Sequence, residues 1–190
     1  MTDTKIDDQN PQPSWRDRLG FRMAERAVRK RPTRTWEANA SARRVLVIMP
    51  NHPEHEVDAW RFIRKLDLPI ANLTLLGEPG AILSPPSKFG DVVVRLEASD
   101  FNMLGLLRRQ AVGKAWASPP DVTLCMRRDL APWAAHVAGA APGAFRIGWY
   151  SDEAAPYFDI MVKSGSHYGE GIDLLAETLP NISPIVLPLR

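Results

Sequence analysis

The sequence predicts an α/β protein: an open, mostly parallel, Rossmann-like sheet of about five or six strands with helices on both faces, preceded by a basic N-terminal helix. Two observations carry this. Short runs that are apolar on both faces, such as Arg44 to Met49 and Asp121 to Met126, alternate with stretches of helical periodicity, and strands of that kind need a helical layer on each side of a parallel sheet. The size agrees, since 190 residues with 45% apolar and 24% charged content suffice for one ordinary core. The chain divides into a disordered tail over 1–13, a basic amphipathic helix with its connector over 14–43, and a single α/β domain over 44–190.

Taken in order, the tail is polar and ends at Pro11 and Pro13. Trp15 to Lys30 is a helix, because Ser14 and Asp17 have the spacing of a capping box. Around that helix Gly20, Phe21, Met23, Ala24, Ala27 and Val28 share one arc, and Arg18, Arg22, Arg26, Arg29 and Lys30 share the opposite one. Arg31-Pro32 ends it and Thr33 to Ala42 is a connector. Arg44 to Met49 is the first strand, Glu54 to Leu66 a helix with Val57, Trp60, Ile63 and Leu66 inward, and Ala71 to Leu76 the second strand. A loop over Gly80 to Gly90 leads to a third strand, Asp91 to Leu96, and to a helix over Phe101 to Ala115 capped by Ser99 or Asp100. Asp121 to Met126 is the fourth strand, followed by a short alanine-rich helix from about Ala131 to Ala138. Phe145 to Trp149 and Phe158 to Val162 are two further strands, Gly171 to Leu179 is a helix, and Pro184 to Arg190 is at best an edge segment.

Charge is distributed unevenly. Ser14 to Arg44 holds ten cations against three acids, a net +7, whereas the tail is −2 and Val45 to Arg190 is −3. The basic character therefore belongs to the N-terminal arm. Arg18, Arg22, Arg26, Arg29, Lys30, Arg31 and Arg34 are its candidate anion- or partner-binding residues. They suit an anionic membrane surface, RNA or DNA phosphates, or an acidic protein assembly. A helix of this kind also packs readily on its own domain with its charges left in water. The apolar runs are far shorter than the roughly 20 residues that span a bilayer, and the tail has no apolar signal core. A cytoplasmic protein, peripheral to membranes at most, is the expectation. A single cysteine, Cys125, lies inside an apolar run and reads as a buried, inert thiol.

In a parallel sheet ligands bind outside the carboxyl ends of the strands, so the corner Pro50-Asn51-His52-Pro53-Glu54-His55-Glu56 is the natural candidate site. It has no glycine to bring backbone N–H groups against a phosphate. Asn51 can cap the following helix with Glu54 at its third position, or Pro53 can occupy the first turn. Glu54, Glu56 and Asp58 crowd carboxylates at the positive end of the helix dipole, where they repel a phosphate. His52, His55 and Glu56 are metal-ligand types, yet His136 and His167 are distant and show no paired spacing, so no metal is expected. There is no Gly-x-Gly-x-x-Gly, Walker loop or Gly-x-Ser-x-Gly elbow, and no cofactor is expected. Asp152, Glu153 and Asp159 read as a solvated turn or cap rather than catalytic acids.

Several segments bear a resemblance. Asn72-Leu73-Thr74-Leu75-Leu76-Gly77, Asp121-Val122-Thr123-Leu124-Cys125-Met126, Ala138-Gly139-Ala140-Ala141, Phe145-Arg146-Ile147-Gly148-Trp149-Tyr150 and Tyr157-Phe158-Asp159-Ile160-Met161-Val162 follow one another in an order that resembles a bacterial family known only as a domain of unknown function. More distantly, Arg146-Ile147-Gly148 and the strand from Val45 to Pro50 are similar to the N-terminal half of heptosyltransferase-like GT-B glycosyltransferases. That family's strand runs into a Gly-Asp pair where this chain has His55-Glu56-Val57-Asp58, so its catalytic acid is carried over to no residue here. Its nucleotide-sugar donor sits mainly in a second half, and a complete transferase is not expected.

Two functional expectations result. The first is a non-catalytic α/β protein that binds a protein, anionic membrane or nucleic acid through its basic helix. The second is a glycosyltransferase-like half-domain that binds a nucleotide or sugar at the strand ends, using Asn51, His52, His55, Gly148 and Trp149.

Overall fold

The computed structural model describes residues 13–31, 44–66, 68–78, 85–163 and 167–182. Six strands, β1 (Val45–Ile48), β2 (Leu73–Gly77), β3 (Val93–Arg95), β4 (Val122–Cys125), β5 (Phe145–Trp149) and β6 (Ile160–Val162), form one sheet in the order β3-β2-β1-β4-β5-β6. Every pairing is parallel. Val45 of β1 stands opposite both Leu73 of β2 and Val122 of β4. The chain thus starts mid-sheet, runs outward through β2 and β3, and crosses back to build the other half. Strand order reverses between β1 and β4.

The predicted two-sided burial is what divides the core. Alternate residues of a strand point to opposite faces. On β1 and the residue after it, Val45, Val47 and Met49 join Trp60, Phe62, Ile63, Tyr168 and Ile172 on one face. Those partners come from helices α2 (Pro53–Lys65) and α5 (Tyr168–Ile182). Leu46 and Ile48 join Ala24, Ala111, Trp133 and Val137 on the other, supplied by α1 (Trp15–Arg29), α3 (Arg109–Ala115) and α4 (Pro132–Gly139).

The capping box of α1 forms in both directions. Asp17 N–H donates to Ser14 Oγ over 3.2 Å, and Ser14 N–H donates to Asp17 Oδ2 over 3.1 Å. The helix packs on its own domain against α4, and glycine makes the approach close. A Cβ added to Gly20 would stand 2.7 Å from the Leu104 carbonyl oxygen and 2.9 Å from Pro132 Cβ. One added to Gly139 would stand 2.8 Å from Val28 Cγ2. Arg31 then fastens the helix end, donating to the carbonyls of Gly139 and Ala144 over 3.1 and 3.0 Å. Tyr157 Oη donates to the Phe21 carbonyl over 2.9 Å.

Some boundaries differ from expectation. The helix predicted over Phe101 to Ala115 is limited to Arg109–Ala115. Ahead of it, Asn102 Oδ1 accepts from the N–H groups of Leu104 and Leu106, and Gly105 adopts φ 68°. A side chain that satisfies its own backbone competes with the helix, and this loop is closed by a Phe101–Leu107 bridge. The strands predicted from Ala71, Asp91 and Phe158 begin two residues later, at Leu73, Val93 and Ile160. The 3-10 turns Ile70–Asn72 and Ser87–Val92 take up the preceding backbone in the first two cases. The last helix runs over Tyr168–Ile182 rather than starting at Gly171, and Val57, expected inward on α2, is 70% exposed. The tail over 1–12, most of the connector, Arg34 and the segment after Ile182 lie outside the described residues.

Candidate functional site

Reversal of strand order between β1 and β4 opens a crevice at their carboxyl ends, the usual ligand position in such sheets. In this chain polar side chains fill it. Arg127, just past β4, has a side chain only 4% exposed. Its Nη1 pairs with Glu78, which follows β2. Its Nη2 donates to Asp129 Oδ2 over 3.2 Å, and its Nε donates to the Asp129 carbonyl over 3.2 Å. Asn51 Nδ2, at the end of β1, donates to the same Asp129 Oδ2 over 2.9 Å. One buried guanidinium therefore ties together the ends of β2, β4 and, through Asp129, β1. Its charge is matched by two carboxylates, and the guanidinium also lies 5.5 Å from the Trp133 ring centroid.

Asn51 consequently does not cap α2, which corrects one of the two expectations for this corner. The cap residue is His52, whose side chain makes no capping bond, and Pro53 occupies the first turn as in the alternative reading. Proline suits that position because the N–H it lacks would have had no helical partner. The Oδ1 of Asn51 is buried and without a partner among the described residues.

His52 and His55 are neighbours, with ring centroids 5.5 Å apart. His55 stacks on Tyr168 at 4.0 Å, and Tyr168 lies 5.3 Å from Trp149. The structure thus assembles His52, His55 and Trp149 into one ring row through Tyr168. That residue was missed by sequence reasoning because nothing local to it reports a packing partner on α2. Tyr168 Oη donates to the buried Met126 carbonyl over 2.9 Å, and burial raises its pKa. Burial also lowers the His55 pKa, against the opposing charge of Glu54. Glu56 is buried and accepts from Trp60 Nε1 over 3.0 Å. Among the described residues no group of three or more metal-ligating side chains converges.

Gly148 lies within β5 under the Phe158 ring, whose atoms would be 2.6 Å from a Cβ placed there. The void that it borders with Trp149, Cys125 and Leu175 measures about 10 Å³, about one water molecule. Cys125 is buried and free, and burial raises its thiol to about 11. Asp159 accepts from Arg146 Nε over 2.9 Å, while Asp152 and Glu153 lie on an exposed turn.

The basic helix presents a different surface. Of its predicted partner-binding residues, Arg29 pairs with Glu25 over 2.6 Å and Arg31 is engaged with backbone carbonyls. Arg18, Arg22, Arg26 and Lys30 are exposed, and no ion pair to them forms among the described residues. Trp15, Leu19 and Met23 are also outward, 61%, 40% and 41% exposed. Along one flank Arg18 and Arg22 line a groove of about 300 Å³ with Phe21, Glu25, Asp152 and Tyr157.

No protein-family model, no curated protein and no solved structure matches this chain.

Proposed function

We propose that this protein is a binding module rather than an enzyme, and that it docks onto a polyanionic partner through the outer face of α1. The observation that carries this reading is the division of labour around that helix. Gly20, Ala24 and Val28 take the contact with α4, and Arg18, Arg22, Arg26 and Lys30 stay in solvent without ion pairs among the described residues. A helix pinned from behind presents its charges in one fixed array, so little ordering entropy is lost when a partner binds. Arginine favours a partner rich in phosphate or carboxylate, because its planar fork matches those groups. The test is binding to heparin, a generic polyanion, with affinity measured from about 50 to about 200 mM salt. Affinity falls steeply as salt rises. Failure to bind at the lowest salt contradicts the reading.

A second reading is favoured by one observation, the Oδ1 of Asn51 at the point of strand reversal, buried and without a partner among the described residues. A hydroxyl-rich ligand, such as a sugar or the ribose of a nucleotide, could donate to it with His52 alongside. Glu54, Glu78 and Asp129 near that corner disfavour a phosphate. A ligand that binds only the folded state raises the melting temperature, so a thermal-shift screen with sugars and nucleotides tests this reading. A shift abolished by His52→Ala supports it.

A further inference from the structure

We infer that the partner of α1 is an anionic membrane surface, with Trp15, Leu19 and Met23 entering the interface and the flanking cations held at the phosphates. The inference rests on the docking reading above and names its partner. Its ground is the arrangement of side chains on the outward face. Trp15, Leu19 and Met23 follow one another at intervals of four and form a single ridge, and Arg18, Arg22, Arg26 and Lys30 form the ridge beside it at the same interval. All seven are exposed. Arg16 adds a further cation, 5.5 Å from the Trp15 ring centroid. The loop that abuts α1 at Gly20 carries Met103, which is 84% exposed.

This is more apolar surface than a phosphate-binding face needs. Nucleic-acid phosphates complement the arginines and leave Leu19 and Met23 with nothing to contact, although Trp15 could stack on a base. A lipid interface satisfies both ridges together. The apolar ridge enters the boundary between headgroups and acyl chains, tryptophan sits well at that depth, and long cationic side chains reach back to the phosphates. Among the described residues no helix is long and apolar enough to cross a membrane, so the contact is made by lying on the surface.

The experiment uses the full chain and three probes: neutral phosphatidylcholine vesicles, vesicles with about one-third phosphatidylserine, and heparin. The variant is Leu19→Gln with Met23→Gln, which keeps every cation. Both positions are exposed and glutamine is a good helix former, so the fold is retained. Wild type is expected to bind the anionic vesicles and not the neutral ones. The variant loses about ten-fold or more in vesicle affinity and keeps its heparin affinity within about two-fold. Equal vesicle affinity for variant and wild type overturns the inference and leaves the docking reading standing, as does binding to heparin without binding to vesicles. Binding to neither heparin nor vesicles overturns the docking reading, and this inference falls with it.

Discussion

The imidazole of His55 lies flat on the ring of Tyr168, with centroids 4.0 Å apart and planes 11° apart. This contact joins the first turns of α2 and α5 on one face of the sheet. The hydroxyl of the same tyrosine reaches the Met126 carbonyl at the end of β4, so one residue braces the carboxyl edge in two directions. Tyr168→Phe keeps the stack and leaves that buried carbonyl without this donor, a loss of about 1–2 kcal/mol. Tyr168→Ala removes the ring as well and costs about 3–5 kcal/mol. Urea unfolding measures both, and equal costs for the two variants contradict the bracing role.

Stability falls on mild acidification. Burial lowers the pKa of His55, against the opposing charge of Glu54, and it lowers the pKa of His136. Both therefore bind protons more readily unfolded than folded. Their contribution is fully present above the ordinary value of 6.5 and is lost as pH drops through that value toward the lower folded one. At Asp159 burial pushes the pKa up, but the bonds and charge of Arg146 outweigh it and hold the carboxyl below its ordinary 3.8. Stability from that pair is present above 3.8 and disappears as pH falls further. Denaturation midpoints from about pH 8 to about pH 3 should show two separate declines. Replacing both histidines with glutamine should remove the first decline alone.

Gly20→Ala sets two effects of opposite sign against each other. In an open helix the change stabilises by about 1 kcal/mol. Here the new methyl would stand 2.7 Å from a backbone carbonyl oxygen, which cannot swing aside as a side-chain end could. The clash wins, at about 1–3 kcal/mol net destabilisation. A thermal melt decides the sign, and an unchanged or raised midpoint means that α1 is not seated on α4 as described.

Arg127 has its side chain buried where the strand order reverses, between Glu78 and Asp129. Arg127→Ala leaves both carboxylates without this partner and opens a cavity. The carboxylates retain access to water, so the cost is about 2–4 kcal/mol rather than the full penalty of an isolated buried charge. Arg127→Met refills the volume and should recover part of the loss. Chemical denaturation of the two variants separates packing from charge.

Much of the fold was legible because its signals are local. The runs around Leu46 and Leu124 are almost wholly apolar and buried on both faces, as inner strands of a covered sheet are, whereas Arg146 and Gly148 interrupt the run around Ile147. Ser14 with Asp17 marked the start of α1, and of the apolar arc Gly20, Phe21, Met23, Ala24, Ala27 and Val28 the structure turns Gly20, Ala24 and Val28 to the domain but leaves Met23 outward, 41% exposed. The helix expected from Phe101 failed where short-range chemistry beat periodicity, since Asn102 turns the chain with its own side chain. The site was less legible because it is built from long-range contacts. Arg127 follows a strand as a surface arginine would, and only the topology reveals that the ends of β2 and β1 close over it. His55 and Tyr168 meet because α2 and α5 share one face, a consequence of crossover order that no local pattern records.

One paired measurement separates the seating of α1 on the domain from binding by its exposed cations. The variant carries glutamine at Arg18, Arg22, Arg26 and Lys30 and is compared with wild type for melting temperature and for heparin affinity at about 50 mM salt. The melting temperature is expected to stay within a few degrees of wild type and the affinity to fall by about a hundred-fold or more, since each cation in contact with the polyanion contributes to the salt-dependent binding energy. Undiminished heparin binding, or a large loss of stability in place of a loss of binding, contradicts the docking reading.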